Sequence, residues 1–514
     1  MSTVSPPVVA PVTTAVALAT RETTTRRFVL WVCLGMLALR STSILQSLRS
    51  DEAGYLMTAR QWHLAGANLY GDYFVDRPPL LMAIFKLAAS FEWAPAIRVI
   101  ALPFAVLFVV AAAWSAHVLA GPSAARWSAL VSGALVSTPA VAADQADGEL
   151  FVVSFVMASV GLTLAAWFSP STTRKFWLAV GAGCLAVAAA LVKQSFLDGL
   201  VFAIALLVAA VVQQQLSRRH ALTLLSGGLL GGVVPLAALV WWLGVTGLGT
   251  ERWWTDVIGL RMSALEVLWG TSPRLTVLRA VMLVALALLS GILPVIAGFV
   301  MGCRTGRLRG SPVAWAVGAT LLFGLVAVAV GGSYWPHYLL QLAPIVSLTA
   351  GWFAADASRE GWWMRGCSLV AAGSAVVGCL SVGLVYLVVP QVWAPQRTGE
   401  WLADSSTSGD TAFVAYGHAS TLYYAGLESP YQHLWSAPMR VRDPNLTELT
   451  GVVRGPDAPT WIVEWNGFNS WQIDADFSMR DAVSSRYRSV ESVCGNRVWL
   501  LRSVTRELAP PPSC

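Results

Sequence analysis

Two acidic groups in the sequence carry side chains that could act as a general base. Asp51 and Glu52 follow shortly after the first long apolar run, and Asp144, Asp147 and Glu149 stand between two later runs. Charged side chains beside membrane helices are costly to keep near lipid, so their presence indicates a functional site. A carboxylate can take the proton of an acceptor hydroxyl when burial tunes its pKa. The residue types alone do not choose between the two neighbouring carboxylates of the first group.

Other polar intervals supply cations that could bind a phosphate. Arg77 lies downstream of the first acidic group, Lys193 ends an apolar run, and His337 and Tyr338 open another. Cations beside a departing phosphate stabilise the negative charge that develops on it, and carboxylates favour the positive charge that develops on the anomeric carbon of a sugar. The set therefore suits transfer of a sugar from a lipid phosphate. For a single cation such as Arg98, anchoring at the lipid headgroups is the alternative interpretation.

These charged residues stand out because the rest of the chain is apolar. Its 514 residues are 56% hydrophobic and only 12% charged, whereas soluble domains carry about 25% charged residues. The apolar runs, of about 18–24 residues, are long enough to cross a hydrocarbon core of about 30 Å. The sequence therefore predicts an all-α polytopic membrane protein with about eleven transmembrane helices. The predicted spans are residues 28–46, 97–119, 126–143, 150–168, 176–192, 196–214, 221–244, 278–301, 312–330, 337–354 and 366–389.

The net charge of +6 comes from basic residues scattered in short loops. This distribution indicates membrane topology through the positive-inside rule, and it lacks the continuous basic surface that binds nucleic acid. All the candidate site residues then lie at the outer face of the plasma membrane, beginning with a first outside loop at residues 47–96, where Pro78-Pro79 is expected to stop any helix. The predicted inside loops hold Arg126, Arg174, Lys175, Arg218, Arg219, Arg304, Arg307, Arg309, Arg359 and Arg365.

Changes in composition divide the chain into three parts. Residues 1–27 are rich in Pro, Val, Ala and Thr and are predicted to form a disordered cytoplasmic tail. Residues 28–390 contain the apolar runs and form the transmembrane domain. Residues 391–514 are predicted to form a small extracytoplasmic α/β domain, because strands at 410–416, 460–465 and, as an edge strand, 498–502 alternate with helices. Cys494 and Cys514 lie on the oxidising side, where a disulfide and two free thiols both fit the sequence.

Four motifs carry a resemblance to a known family. Asp51-Glu52 with Asp76-Arg77-Pro78-Pro79-Leu80 resembles the N-terminal signature of GT-C fold glycosyltransferases, in particular the protein O-mannosyltransferases and the aminoarabinose transferase-like enzymes that modify lipid A. Asp147-Gly148-Glu149 resembles the second acidic element of that family, and Gly181 to Lys193-Gln194 resembles its glycine-rich span that ends in a Lys. His337 to Pro344 resembles its late His-Tyr element. The resemblance covers about residues 40–355 and leaves the C-terminal domain out.

The resemblance implies an enzyme that uses a polyprenyl-phosphate-linked sugar and inverts its anomeric carbon. It implies that Asp51 is the general base, with Glu52 beside it, and that Lys193 and Arg77 contact the donor phosphate. The remaining site residues would be Asp144, Asp147, Glu149, His337 and Tyr338. The sugar and the hydroxyl acceptor, which could belong to a protein, a polysaccharide or a lipid, are left open. No Asp-x-Asp pair among the candidate site residues argues for a metal, although clustered carboxylates could bind Mg²⁺ or Mn²⁺, so no cofactor is assigned.

The principal alternative is a transporter or flippase for a lipid-linked sugar. Such proteins usually contain internal repeats and carry charged or broken helices near the middle of the bilayer. Here the ionisable groups stand at one end of the apolar runs, and the two halves of the chain do not repeat. A structural protein whose outer domain binds cell-wall partners would leave the first acidic pair without a purpose. The sequence therefore favours the enzyme.

Overall fold

A computed structural model describes residues 12–63, 66–271, 273–306 and 308–514. The helices are α1 (Val12–Ile44), α2 (Ser50–Arg60), α3 (Pro79–Ala89), α4 (Ala96–Leu135), α5 (Gly148–Phe168), α6 (Thr172–Val192), α7 (Asp198–Val212), α8 (Arg218–Thr246), α9 (Thr250–Trp253), α10 (Leu260–Thr271), α11 (Pro273–Leu289), α12 (Ile292–Arg304), α13 (Pro312–Val330), α14 (Ala343–Ala354), α15 (Arg359–Val388), α16 (Ala394–Ser405), α17 (Ala419–Ala425), α18 (Ser436–Arg442), α19 (Thr447–Arg454) and α20 (Ser478–Arg486). The strands are β1 (Ala412–Val414), β2 (Trp461–Glu464), β3 (Tyr487–Val493) and β4 (Asn496–Leu501). A π-helical turn (Trp254–Gly259) joins α9 to α10, and a 3-10 helix (Pro336–Leu342) precedes α14.

The helices confirm a polytopic membrane protein, and each predicted apolar run falls on helical structure. Within the described residues, seven helices (α1, α4, α5, α6, α8, α13 and α15) are long and apolar enough to cross a membrane, and the pair α11 and α12, bent by 70°, adds an eighth if it is one span. This number is below the predicted eleven because α4 contains two runs, separated by non-helical backbone at Ala120 and Gly121. In addition, α7 has 15 residues and α14 has 12, fewer than the roughly 20 that a straight span needs.

The first helix extends further towards the N-terminus than the sequence predicts. It begins at Val12, so residues 12–27, which were expected to be disordered, are helical. This segment is rich in Ala and Thr and contains no Pro after position 11, so nothing interrupts the helix that leads into the first span. Residues 1–11 of the predicted tail lie outside the described residues.

The helices that follow the basic loops share a start signal. Each of α6, α8, α13 and α15 begins after a Ser whose side chain accepts a hydrogen bond from a backbone N–H of the first turn. Such caps satisfy donors that the helix itself leaves unpaired. The capping residues are Ser171, Ser217, Ser311 and Ser358.

Glycine residues bring α6 and α8 into direct backbone contact. A Cβ atom added at Gly183 would overlap the carbonyl oxygen of Gly228, and one added at Gly231 would overlap that of Val180. Small residues permit this close approach of membrane helices. The glycine-rich span that ends before Lys193 is therefore fixed by its packing on α8.

The C-terminal unit, residues 394–514, is built around a four-stranded sheet with the strand order β1-β2-β4-β3. Strands β1 and β2 are parallel, and the other neighbouring pairs are antiparallel. Because side chains alternate along a strand, Val414 and Val463 pack with α16 and α17 on one face. Phe413 and Ile462 pack with α19 and α20 on the other face. Both faces of the sheet are thus covered, as an α/β unit requires.

The C-terminal unit differs from the predicted strand arrangement, and its two cysteines are paired. The strand predicted at 498–502 corresponds to β4, but it is not an edge strand, because the unanticipated strand β3 pairs with its second side. Cys494 and Cys514 form a disulfide, so the free-thiol alternative is not the one adopted.

The C-terminal unit packs on the loop that connects the first two spans. The backbone N–H of Phe74 donates to the carbonyl oxygen of Gln432 at 3.0 Å, and the N–H of Leu48 donates to the Tyr424 hydroxyl at 2.9 Å. This loop contains α2 and α3, and the expectation that its proline pair stops a helix is wrong, since Pro79 is the first residue of α3. Proline is well tolerated there because the first N–H of a helix has no partner within the helix.

Candidate active site

The two neighbouring carboxylates in the first turn of α2 point into different surroundings. Glu52 is fully buried and accepts hydrogen bonds from Arg98 Nε at 2.8 Å, Arg98 Nη2 at 2.6 Å, the Arg49 N–H at 2.8 Å and the Ala146 N–H at 2.9 Å. Burial alone would raise the pKa of Glu52, but Arg98 and the two backbone donors hold it below its usual value. The carboxylate has no free face for a substrate, and it ties α2 to the loop before α5.

The partner of Glu52 is equally enclosed. Arg98 is 2% exposed and also donates to the carbonyl oxygens of Ser43, Gln46 and Ser47, at 2.5, 2.8 and 2.9 Å. These carbonyls lie at and after the end of α1, where the helix leaves them unpaired. Arg98 is therefore a buried structural residue that joins α1, α2 and α4, and it is not a headgroup anchor.

Asp51 lies on the other side of α2 and is half-buried. Its Oδ1 accepts a hydrogen bond of 2.8 Å from the indole N–H of Trp435, in the C-terminal unit. The Trp435 ring also packs against Tyr55, with 5.2 Å between the ring centroids. The carboxylate that the family resemblance implies as the base is thus held from outside the membrane bundle.

The second acidic group meets Lys193, His337 and Tyr338 at the start of α5. His337 Nδ1 lies 3.2 Å from Asp147 Oδ2, and His337 Nε2 lies 3.5 Å from Glu149 Oε1. The Lys193 ammonium pairs with the same Glu149 oxygen and stands 5.3 Å from the centroid of the Tyr338 ring. Five residues predicted from separate motifs therefore form one cluster.

Asp147 is a buried member of this cluster that accepts no hydrogen bond from the described residues. Its side chain is 5% exposed, and neither carboxylate oxygen accepts a hydrogen bond from the described residues, although His337 Nδ1 lies 3.2 Å from Oδ2. Burial, followed by the charges of Asp51 and Glu149, raises the pKa of Asp147 well above its usual value. A buried carboxyl group that accepts no hydrogen bond is costly, so Asp147 could accept one from a ligand.

Asp144 lies apart from the other two acids of its motif. It is 8% exposed, and burial raises its pKa, while the charges of Arg49 and Arg98 oppose that shift. The structure thus groups Asp144 with the Glu52 network, and it leaves Asp147 and Glu149 in the cluster beside α5.

A second set of cations lies around Asp76. Arg77 Nη1 is 2.6 Å from Asp76 Oδ1, and Arg261 Nε, in α10, is 2.7 Å from Asp76 Oδ2. Burial alone would lower the pKa of Arg77, but the charges of Asp76, Tyr55 and Asp51 have the larger effect and raise the pKa above its usual value. Arg261 lies in no sequence motif, and nothing in the aromatic-rich segment around it indicates that α10 contacts the first outside loop.

A cavity of about 350 Å³ connects these groups to the lipid-facing helices. Its polar lining comes from Glu149, Lys193, Gln194, Arg261, Tyr338 and Gln341. Its apolar wall includes Phe196, Leu197, Ile258, Met262, Phe323 and Val328. The lining of the cavity therefore combines cationic and apolar side chains, which suits an amphiphile with an anionic head. In the part of the chain that the structure describes, no three His, Cys, Asp or Glu side chains are arranged to hold a metal ion.

The segment that carries Arg261 is attached to the C-terminal unit. Asp256, which is 2% exposed, pairs with Arg442 Nη2 at 3.1 Å and with Arg252 Nε at 3.5 Å. Arg440 Nη2 donates to the Val267 carbonyl oxygen at 3.1 Å. One wall of the cavity thus depends on α18 for its position.

Arg442→Ala is expected to speed amide hydrogen exchange over residues 250–267 several-fold, because Asp256 loses its closer cationic partner. Hydrogen exchange followed by mass spectrometry, in detergent, measures this. The matched control is Arg454→Ala, which removes a hydrogen bond to Ser478 inside the C-terminal unit. Equal exchange in the two variants would contradict the attachment.

The fold is the GT-C fold, which is found in polytopic membrane glycosyltransferases. ArnT from Cupriavidus metallidurans, bound to undecaprenyl phosphate, superimposes with a TM-score of 0.61 at 14% identity, covering 92% of this chain and 97% of ArnT. The apo form of ArnT gives a TM-score of 0.62 at 15% identity, covering 93% and 98%. The Archaeoglobus fulgidus oligosaccharyltransferase AglB, with an inhibitory peptide and a dolichol-phosphate, gives 0.53 at 11% identity, covering 91% and 73%. No protein-family model and no curated protein sequence matches the chain.

Proposed function

We propose that this protein transfers a sugar from a polyprenyl-phosphate donor to a hydroxyl acceptor. The observation that carries the proposal is the cavity, whose lining combines Lys193, Arg261 and Glu149 with apolar side chains. The two neighbouring folds support it, because one was solved with undecaprenyl phosphate and the other with a dolichol-phosphate. The sugar type and the chemical class of the acceptor stay open.

In the proposed donor complex, the phosphate lies between Lys193 and Arg261 and the polyprenyl chain follows the apolar wall. Each cation is held in place by a carboxylate, Lys193 by Glu149 and Arg261 by Asp76. Side chains that are fixed before binding lose little entropy when the ligand arrives. Arg77, on the opposite side of Asp76, adds positive charge next to the same phosphate.

The proposed reaction is a single displacement at the anomeric carbon. Asp51 takes the proton of the acceptor hydroxyl while the oxygen of that hydroxyl forms a bond to the anomeric carbon. The bond from this carbon to the phosphate oxygen breaks, and its electron pair leaves with the phosphate. Lys193, Arg261 and Arg77 stabilise the phosphate that leaves. Asp147, whose oxygens lack a donor among the described residues, orients a hydroxyl group of the sugar or the acceptor. Attack from the side opposite to the phosphate inverts the anomeric configuration.

We also propose the topology and domain division that follow from the charges. The chain would consist of a cytoplasmic tail at residues 1–27, a transmembrane domain at 28–390 and an extracytoplasmic domain at 391–514. The basic loops support this orientation, and one of them contacts another through Gln215 Nε2, which donates to the Gly310 carbonyl at 2.7 Å. The reaction would then take place at the outer face of the plasma membrane.

The test is a transfer assay on the purified protein in liposomes, with a panel of radiolabelled polyprenyl-phosphate sugars. Lys193→Met is expected to lower kcat/KM for the active donor by about 10²-fold, because it removes a cation from the leaving phosphate. Lys86→Met is the control, since Lys86 is exposed and donates only to a backbone carbonyl of the first loop. If no donor loses its sugar while labelled lipid still crosses the bilayer, the protein is a flippase and the proposal is wrong.

A further inference from the structure

The residue that holds Asp51 comes from the C-terminal unit. The Trp435 indole N–H donates to Asp51 Oδ1 at 2.8 Å, and the chain separation between the two residues is 384. No sequence motif of the membrane bundle includes this tryptophan. The C-terminal unit, which contains none of the motifs, therefore contacts the proposed base directly.

Hydrogen bonds to the first outside loop fix the segment that presents Trp435. The Phe74 N–H donates to the Gln432 carbonyl at 3.0 Å, and the Ser429 N–H donates to the Tyr73 hydroxyl at 2.8 Å. Asn68 Nδ2 donates to Gln432 Oε1 at 3.0 Å. The segment is thus joined to the first loop on the N-terminal side of the tryptophan, so the indole has a defined position relative to α2.

The surface of α2 is shaped to receive the indole. A Cβ atom added at Gly54 would overlap Cζ2 of Trp435 and lie 2.9 Å from its Cε2 and Cη2. Any side chain at this position would therefore push the ring away from the helix. The ring also contacts Tyr55, one residue further along. A glycine in the middle of a helix is unfavourable on propensity alone, so close packing of the tryptophan accounts for its presence.

We propose that Trp435 is a positioning residue for Asp51, and that the C-terminal unit thereby completes the active site. This inference rests on the proposed function. The indole N–H holds one carboxylate oxygen, which fixes the rotation of the side chain and directs the other oxygen to the acceptor hydroxyl. Fixing a catalytic group removes the entropy that it would otherwise lose on the way to the transition state.

Two variants test the inference from opposite sides of the contact. Trp435→Phe keeps an aromatic ring against Tyr55 and removes the N–H, and Gly54→Ala displaces the ring while it leaves the indole intact. Both are expected to lower kcat by about 10- to 100-fold with an unchanged KM for the donor, because the cations that bind phosphate are untouched. The combined variant is expected to lose no more than the stronger of the two.

The matched control is Trp499→Phe. Trp499 lies in the same C-terminal unit, and its indole N–H also donates to a carboxylate, Glu464 Oε2, at 3.1 Å. Its kcat should equal that of the wild type, and its melting temperature should match that of Trp435→Phe. A purely structural role of Trp435 would instead lower the melting temperature and the amount of active protein, with kcat per folded molecule unchanged.

The outcomes separate this inference from the proposed function. If the wild type transfers sugar, Asp51→Asn does not, and both Trp435→Phe and Gly54→Ala keep the wild-type kcat, the positioning role is wrong and the proposed function stands. If the wild type transfers no sugar from any donor, the proposed function fails and the positioning role fails with it. If Trp435→Phe does not fold, Gly54→Ala alone tests the positioning role: a lower kcat supports the role, and an unchanged kcat contradicts it.

Discussion

Asp51→Asn is expected to lower kcat by about 10²- to 10⁴-fold, which is the usual contribution of a positioned general base. The amide has the same shape as the carboxylate, and its oxygen can still accept the 2.8 Å hydrogen bond from Trp435. It cannot take the proton of the acceptor hydroxyl at a useful rate. Donor binding is expected to be unchanged, because Lys193 and Arg261 lie in the cavity and Asp51 does not line it.

Single-turnover transfer, together with equilibrium binding of the donor lipid, measures both parts of this prediction. Asp72→Asn is the control, since Asp72 lies in the same loop and its side chain, which is 67% exposed, lies 3.5 Å from His63 Nε2. Asp147→Asn should be measured alongside. If Asp51→Asn kept the wild-type rate and Asp147→Asn abolished transfer, the base would be Asp147, the buried carboxyl group without a donor among the described residues.

The separate tasks of Asp51 and Glu52 follow from helix geometry. Neighbouring residues on an α-helix point about 100° apart, because the helix has about 3.6 residues per turn. Since both acids lie in the first turn of α2, one can face a substrate while the other faces the core. The sequence predicts the acidic pair and its place in the first outside loop. It cannot predict which acid faces Arg98 until α4 is packed against α2.

What could be predicted from the sequence is mainly what depends on local composition. Apolar length predicts the membrane helices, and motif order brings Glu149, Lys193 and His337 to one cluster, as the distances confirm. Asp144, only three positions before Asp147, belongs to a different network, because the chain turns sharply before α5. Ala142, which has a positive φ of 51°, lies in that turn, and its conformation is not encoded by any strong turn signal.

The residues that sequence analysis missed all act across long chain separations. Arg261 reaches Asp76 from α10, and Trp435 reaches Asp51 from the C-terminal unit. Neither lies in a motif, and each needs a packed interface to have a role. The motif resemblance ended near residue 355, whereas the structural likeness to ArnT covers 92% of the chain. The contacts of Asp51 therefore extend into the C-terminal unit, where no sequence motif lies.

Arg98→Ala is expected to lower the free energy of unfolding by about 3–5 kcal/mol, because it leaves a buried carboxylate without its charged partner. Glu52 is 0% exposed and Arg98 2% exposed, so water cannot replace the guanidinium. The substitution also removes the donors that pair the carbonyls of Ser43, Gln46 and Ser47. Unfolding in a titration with a denaturing detergent measures the loss, with Arg218→Ala, at the exposed start of α8, as the control.

The pH dependence of stability identifies Glu52 as the cause. Its pKa in the folded protein lies below its usual value, although burial opposes that shift, because Arg98 stabilises the charged form. The pair therefore stabilises the fold fully above the unfolded pKa of about 4.3, and this contribution is lost as the pH falls from there through the folded pKa. In Glu52→Gln this dependence on pH should disappear, while stability at pH 7 falls because Arg98 is left unpaired.

The double variant Glu52→Leu with Arg98→Met should lose less than the sum of the single losses, since two apolar side chains of similar size leave no buried charge. Additive losses in that cycle would mean that the two residues act separately and that the ion pair does not join α2 to α4.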